Sequence, residues 1–186
     1  PRDALVGSDL NGLADGAVVA SGSVRRRMQM QMLRPDINLV DIRGNVPTRI
    51  GKVDDGYCDA TILAMAGLTR LGISRADVFP IPVTDMVPAP GQGALGIQCR
   101  ANDRRILDCL AHIDDPSTRR CVEGERVFLD RFGGGCSVPA ACFIEMSGDR
   151  YHVLAVAQDQ AGLHRKFEAT GDSPVHLGEQ AAEALA

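Results

Sequence analysis

The stretch AVVASGSVRRRMQMQMLRPDINLVDIRGNVPTRI, residues 17–50, decides the fold class. Twice within it, a short apolar run with the pattern of a buried strand is followed by a segment with the pattern of a helix. The same succession occurs once more after residue 58, and the predicted strands and helices are, in order, 17–20, 24–33, 37–42, 46–53, 59–64 and 67–71. Three strand–helix units predict a parallel sheet covered by helices.

A proline-rich segment ends this α/β domain. Residues 78–90 are interrupted repeatedly by proline, which excludes a long helix and predicts an extended hinge. A strand at 93–99 and a helix at 102–112 follow, and together they are too small to bury a core of their own. We therefore expect this segment to pack against something else.

The last third of the chain predicts a smaller α+β domain. Asp115 is the expected N-cap, and Pro116 stands in the first turn, of a helix that runs to about Phe132. Three strands joined by glycine-containing turns and a final helix come next, at 141–146, 151–157, 163–169 and from 174 onward. The expected division is a first domain at 1–87, a hinge and returning segment at 88–114, and a C-terminal domain with a three-stranded sheet at 115–186.

Composition excludes several classes of protein. With 45% hydrophobic and 24% charged residues, the 186-residue chain can bury a core, which excludes wholesale disorder. Its longest apolar run, 60–68, is far shorter than the roughly 20 residues that span a membrane. A net charge of -4 and few aromatic residues argue against a nucleic-acid interface. The start Pro1-Arg2-Asp3 is no initiator sequence, so we expect the chain to begin inside a longer reading frame.

The six cysteines predict free thiols. They form no C-x-x-C pair and have no histidine at zinc-ligand spacing, so we expect neither a metal site nor disulfides, and a reducing, cytoplasmic setting. Most of them fit small core positions. Cys136 differs because it follows three glycines, 133–135, and precedes Pro139, in a stretch that resists regular structure. The residues alone leave open whether Cys136 is a functional or an idle thiol.

Arginine accounts for almost all of the positive charge. Of the 20 basic residues, only Lys52 and Lys166 are lysines. The arginine fork grips carboxylates or phosphates with two parallel hydrogen bonds, which favours a fixed anionic ligand; a compositional bias of the genome explains the same ratio. All three strand-to-helix junctions carry arginine, and these junctions share one edge of a parallel sheet, where ligands bind. The arginines there are Arg25, Arg26, Arg43, Arg49 and Arg70. They predict an anion-binding crevice, the alternative being ordinary solvated helix residues.

Five ordered blocks of the sequence carry a resemblance to a known family. They are SGSVRR (21–26), DIRGNVPTRI (41–50), DATILAMAGLTRLG (59–72), VPAPGQGALGIQCR (87–100) and GGGCSVP (133–139). In this order they resemble porphobilinogen deaminase, also called hydroxymethylbilane synthase. The resemblance covers essentially the whole chain and is weaker over the last 40 residues.

The resemblance implies a transferase of tetrapyrrole and haem biosynthesis. Such enzymes join four porphobilinogen molecules into hydroxymethylbilane and release ammonia, on a periplasmic-binding-protein-like α/β fold with a smaller C-terminal α+β domain. They carry a dipyrromethane cofactor on a cysteine, which here matches Cys136. Residues matching the family's cofactor-contacting positions are Ser23, Arg25, Arg26, Arg43, Arg49, Gly67, Arg70 and Gln92.

The resemblance also implies that part of the enzyme lies upstream. The family's catalytic aspartate belongs to a first domain that precedes Pro1, so we expect no catalytic residue in this chain and no activity from it alone. Segment 93–112 corresponds to the return into that missing domain. The expected partners are this domain, porphobilinogen and the linear pyrrole intermediates, in a monomer without nucleic acid or membrane.

Two other classes remain as alternatives. A noncatalytic module that binds small anions would use the same fold and crevice, and it would need no pyrrole on Cys136. A zinc or redox protein would use the six cysteines and would contain metal or disulfides.

Overall fold

A computed structural model of the chain describes residues 1–133, 138–159 and 162–186. The strands are β1 (Asp3–Val6), β2 (Val18–Ala20), β3 (Asn38–Val40), β4 (Ala60–Ala64), β5 (Val78–Pro80), β6 (Ala140–Ser147), β7 (Arg150–Gln158) and β8 (His164–Gly171). The helices are α1 (Val24–Leu33), α2 (Val46–Asp54), α3 (Met65–Arg70), α4 (Arg104–Ala111), α5 (Pro116–Arg131) and α6 (Pro174–Leu185). The predicted α/β class, with a separate three-stranded sheet and its helices, is confirmed.

The first sheet is mixed, with strand order β3-β2-β4-β1-β5. Strand β2 pairs in parallel with both β3 and β4, as the strand–helix units predict. Strands β1 and β5, which the sequence pattern did not predict, add an antiparallel part beside β4. Each has only three or four residues, and β5 ends at a proline, so neither is long enough to show an alternating pattern.

Local signals fix the two helices that flank the parallel strands. The Oγ of Ser23 accepts a hydrogen bond from the backbone N–H of Arg26 and caps α1, while Pro35 follows shortly after the last turn. The Oδ1 of Asn45 caps α2 in the same way through Thr48. Both helices therefore start at the same edge of the sheet, directly after β2 and β3.

The predicted strand at 93–99 does not form. These residues have no regular structure, and the apolar side chains that suggested a strand are exposed, Leu95 by 72% and Ile97 by 60%. A strand needs a hydrogen-bonded neighbour, and no described strand pairs with this segment. The following helix, α4, has no buried residue.

The C-terminal domain has a core of its own. Strands β6, β7 and β8 form an antiparallel sheet, and α5 and α6 pack together against it. Phe128 of α5 and Leu177 of α6 are almost fully buried in that core. The two helices approach closely, because a Cβ atom on Gly178 would lie 2.1 Å from the carbonyl oxygen of Gly124.

A small apolar cluster joins α1 and the proline-rich segment to the C-terminal sheet. Met28 of α1 and Val87 of the proline-rich segment 78–90 pack against Ala141, Leu154 and Val156 of the C-terminal sheet. This contact holds α1, and the arginines at its start, between the two domains.

The described residues, 1–133, 138–159 and 162–186, lack two kinds of feature. No helix within these ranges has the length and apolar content to cross a membrane. Over the same part of the chain, no three histidine, cysteine or acidic side chains cluster as metal ligands.

Candidate anion-binding cleft

A cleft of about 530 Å³ opens beside the start of α2. Its volume suits a small-molecule ligand. Its walls come from the start of α2, from β4 and α3, and from one arginine of α1. The lining residues are Arg26, Gly44, Asn45, Val46, Pro47, Arg49, Leu63, Ala64, Gly67 and Leu71.

Arg26 reaches the cleft from the first turn of α1. Its Nε and Nη2 donate hydrogen bonds of 3.0 and 2.8 Å to Oδ1 of Asp3, and its Nη1 donates to the carbonyl of Ile62. The side chain is 12% exposed. Each of its three guanidinium nitrogens donates to a protein acceptor, so the group is held in a fixed orientation at the cleft wall, with the second N–H of each terminal nitrogen left to donate.

Arg49 contributes the second positive charge. Its Nε donates a 2.7 Å hydrogen bond to the carbonyl of Gly44, which leaves the two terminal nitrogens of the guanidinium for another partner. Gly44 has a φ of 120°, a conformation that favours glycine, and a Cβ atom there would lie 2.7 Å from Thr48.

The rest of the cleft is formed by the start of α2, which is electropositive, and by apolar side chains. The first residues of α2 line it, so the positive end of the helix dipole adds to the two guanidiniums. Leu63 and Leu71 form the apolar part. Gly67 leaves this wall open, because a Cβ atom there would meet only Val46, at 3.7 Å. Such a cleft can hold a carboxylate-bearing ring with its charged groups on one side.

Arg25 does not line the cleft. Its Nη1 donates a 2.7 Å hydrogen bond to the carbonyl of Val87, and its Nη2 donates a 3.1 Å bond to Oε1 of Gln92. Nη2 also lies 2.8 Å from Oδ2 of Asp3. Burial lowers the pKa of Arg25, and the charge of Asp3 opposes that shift. The side chain is internal.

Three other predicted residues lie elsewhere. The side chain of Ser23 serves as the cap of α1. Arg43 is 81% exposed and pairs with Asp41 at 3.0 Å, outside the cleft. Arg70 lines a second, larger groove of about 930 Å³.

The second groove runs between the two domains. Gln92 shares it with Arg70, and α5 and β6 form its far side. The Nε2 of Gln92 donates a 3.0 Å hydrogen bond to Oδ1 of Asp3 and another to the carbonyl of Pro1. Gln92 is therefore part of the network behind Arg26.

Cys136, the predicted point of cofactor attachment, lies outside the described residues. The nearest described residues are Gly133 before it and Val138 after it. Gly133 follows α5 with a φ of 74°, and Val138 packs against the C-terminal core.

Comparison with known proteins shows two family models that together cover most of the chain. One, described as porphobilinogen deaminase, dipyromethane cofactor binding domain, matches residues 1–108. The other, described as the porphobilinogen deaminase C-terminal domain, matches residues 119–186. The chain belongs to the porphobilinogen deaminase family.

Curated members of the family align over the whole chain. Porphobilinogen deaminases of Roseiflexus sp. (strain RS-1), Xanthomonas campestris pv. campestris (strain B100) and Stenotrophomonas maltophilia (strain K279a) are 42%, 39% and 37% identical to it. Each alignment covers 100% of this chain and 63% of the relative. The chain thus spans less than two thirds of the length of these relatives.

The cleft residues fit the cofactor named in the family description. Each pyrrole of a dipyrromethane bears carboxylates on a flat, largely apolar ring. Arg26 and Arg49 supply positively charged guanidinium donors for carboxylates, and Leu63 and Leu71 supply an apolar surface for a ring.

Sequence reasoning missed two buried carboxylates. Asp3 is fully buried beside Arg25 and Arg26, and Glu125 accepts hydrogen bonds from the backbone N–H groups of Gly91 and Ile144. Asp3 lies in a four-residue strand, and Glu125 is one acidic residue in a charged helix. Neither position has a local signal, because their partners are distant in sequence.

Proposed function

We propose that this chain supplies the cofactor-binding and substrate-binding part of a porphobilinogen deaminase. The enzyme is a transferase of tetrapyrrole and haem biosynthesis that joins four porphobilinogen molecules into hydroxymethylbilane. In each addition a carbon–carbon bond forms between the free α-carbon of the chain end and the aminomethyl carbon of the new pyrrole. The carbon–nitrogen bond of the new pyrrole and the carbon–hydrogen bond at that α-carbon break, so that the amino group leaves as ammonia.

The observation that carries this proposal is the pairing of Arg26 and Arg49 across one cleft with an apolar wall. A growing pyrrole chain accumulates two carboxylates per ring, so it requires several fixed cations and a surface for the rings. Guanidiniums held by Asp3 and by Gly44 meet the first requirement without further ordering on binding.

The proposed roles follow this placement. Arg26 and Arg49 contact carboxylates of the cofactor, and Gly67 leaves space for a ring. Arg43 and Arg70, which are exposed outside the cleft, contact carboxylates of the lengthening chain. Ser23, Arg25 and Gln92 support the same site from outside the cleft. Ser23 caps the start of α1, and Arg25 and Gln92 contact Asp3, which holds Arg26.

Cys136 holds the cofactor in this proposal. A thioether does not leave under mild conditions, so the cysteine anchors the primer through every round instead of acting as a turnover nucleophile. When bound, the dipyrromethane supplies the pyrrole carbon to which the first substrate is added. The arginines orient and neutralise the anionic rings around that anchor.

The proton transfers that expel ammonia belong to a residue outside this chain. Deamination needs an acid near the departing amine, and the family resemblance assigns that role to an aspartate upstream of Pro1. The chain alone is therefore inactive, and it acts with the missing domain as a monomer in the cytoplasm.

The mass of the full-length protein tests the proposal. We expect the intact protein to exceed its sequence mass by one dipyrromethane, with the adduct mapping to the peptide that contains Cys136. The variant Cys136→Ser is expected to fold and to lack the adduct, whereas Cys109→Ser, at an exposed position on α4, retains it. An active wild-type preparation with unmodified Cys136 would exclude this function and favour a module that only binds small anions.

A further inference from the structure

Asp3 is a buried carboxylate that pairs with two arginines of the predicted site, Arg25 and Arg26. It is the first residue of β1, opposite Ala64 in β4, and its exposure is 0%. A charge in that position is costly unless it is paired and hydrogen-bonded. Its partners therefore indicate what it does.

The two carboxylate oxygens of Asp3 have different partners: Oδ1 accepts several hydrogen bonds, and Oδ2 lies beside one guanidinium. Oδ1 accepts from Nε and Nη2 of Arg26 and from Nε2 of Gln92, at 2.8 to 3.0 Å. Oδ2 lies 2.8 Å from Nη2 of Arg25 and forms no hydrogen bond within the described residues. Asp3 is the shared counter-ion of both arginines.

The two arginines are not equivalent towards the cleft. Arg26 lines it, whereas Arg25 lies behind and is fixed by Val87, Gln92 and Asp3. Two guanidiniums and one carboxylate have a net charge of +1. Because Arg26 is the member of this group that lines the cleft, the net positive charge faces the cleft through Arg26.

We infer that Asp3 is a positioning residue that orients Arg26 in the cleft. Arg25 supports Asp3 through the other carboxylate oxygen, Oδ2, and Gln92 donates a further hydrogen bond to Oδ1. Both therefore act on the ligand through Asp3 and Arg26. The sequence pair Arg25-Arg26 then provides one carboxylate contact, not two. The identity of the carboxylate ligand rests on the proposed function, whereas the control of Arg26 by Asp3 does not.

A free arginine side chain loses substantial rotamer entropy when it is ordered. Asp3 imposes that order before the ligand arrives, which strengthens binding by preorganisation. Removing the charge of Asp3 should therefore release Arg26 and weaken ligand binding, even where the fold survives.

The test follows the side-chain N–H signal of Arg26 in the full-length protein by nitrogen-15 NMR. The signal is assigned as the one that disappears in Arg26→Lys. In the wild type we expect it to be displaced from the signals of exposed arginines and to exchange slowly with water. In Asp3→Asn, which keeps the shape of the side chain, we expect it to join the exposed arginines.

The matched control is Asp36→Asn, which removes the partner of Arg34 near the end of α1. This variant should change the Arg34 signal and leave that of Arg26 in place. If Asp3→Asn does not fold, Asp3→Asn combined with Arg25→Gln restores the charge balance of the buried group. The Arg26 signal should be released in this double variant as well.

The fraction of the purified full-length protein that carries dipyrromethane, measured by intact mass, completes the test. We expect at least a tenfold loss in the folded Asp3 variant and none in Asp36→Asn. An unchanged Arg26 signal in a folded Asp3 variant overturns the inference. A wild type that carries no dipyrromethane, together with release of the Arg26 signal in Asp3→Asn, contradicts the proposed function and supports the role of Asp3.

Discussion

The carboxylate of Glu125, on α5, accepts a 2.6 Å hydrogen bond from the backbone N–H of Gly91 in the hinge. Its other oxygen accepts a 2.9 Å bond from Ile144 in β6. Glu125 therefore ties the connection between the domains to the C-terminal sheet. Burial raises the pKa of Glu125 to about 7, against the lowering effect of these two donors.

The raised pKa of Glu125 predicts a pH-dependent stability. The folded chain keeps the Glu125 carboxyl protonated to a higher pH than the unfolded chain does. The stabilisation of the folded state that results is therefore complete below pH 4.5 and is lost as the pH rises through 7. The loss is on the order of 3 kcal/mol. Urea unfolding at pH 5 and pH 8 measures it, with Glu125→Gln expected to remove most of the difference. The control Glu123→Gln, at an exposed position on α5, should behave as the wild type. Parallel pH profiles for wild type and Glu125→Gln would contradict this assignment.

The contact between α5 and α6 predicts a strong effect at two glycines. A Cβ atom on Gly124 would lie 2.3 Å from the carbonyl oxygen of Pro174, and one on Gly178 would lie 2.1 Å from that of Gly124. Gly124→Ala or Gly178→Ala should force the helices apart and lower the free energy of unfolding by about 1–3 kcal/mol.

Thermal unfolding checks this against a matched helical glycine. A Cβ atom on Gly51 in α2 would meet no atom within 4 Å, so Gly51→Ala should raise stability by roughly 0.5–1 kcal/mol. Melting temperatures that move in the same direction for Gly51 and Gly178 would refute the packing argument.

The cleft predicts that arginine geometry, and not charge alone, matters for turnover. Arg49→Leu should lower the rate with porphobilinogen roughly 10-fold to 100-fold in the full-length protein, since it removes a charge-assisted pair of hydrogen bonds. Arg49→Lys keeps the charge without the fork and should recover only part of the rate.

The control is Arg150→Leu, because Arg150 pairs with Asp172 at the end of the C-terminal sheet. Arg49 lies at the cleft surface and outside the apolar cores, so neither variant should change the melting temperature much. If Arg49→Leu kept the full turnover rate, Arg49 would not be a ligand-binding residue of the site.

The sequence predicts the parts of this structure that have local signals. Helix α1 runs over Val24–Leu33 as predicted, because its cap, Ser23, and its terminator, Pro35, lie next to it. The parallel pairing of β2 with its neighbours follows from the strand–helix repeat. The strand predicted at 93–99 was wrong because an apolar pattern reports only the tendency to pair, and no described strand pairs with this segment.

The site itself was only partly predictable. Junction positions predicted that five arginines share one crevice, and the structure brings two of them, Arg26 and Arg49, to one cleft. The sequence could not predict that Arg26 lines the cleft while its neighbour Arg25 is internal. This difference depends on contacts with Asp3, Val87 and Gln92. These residues are brought together only by the tertiary fold.

A crystal structure of the full-length protein after incubation with porphobilinogen addresses the central claim most directly. The account predicts pyrrole rings attached through Cys136, with carboxylate oxygens about 2.7–2.9 Å from the guanidinium nitrogens of Arg26 and Arg49. Pyrroles bound elsewhere, with both guanidiniums facing only solvent or protein, would contradict it.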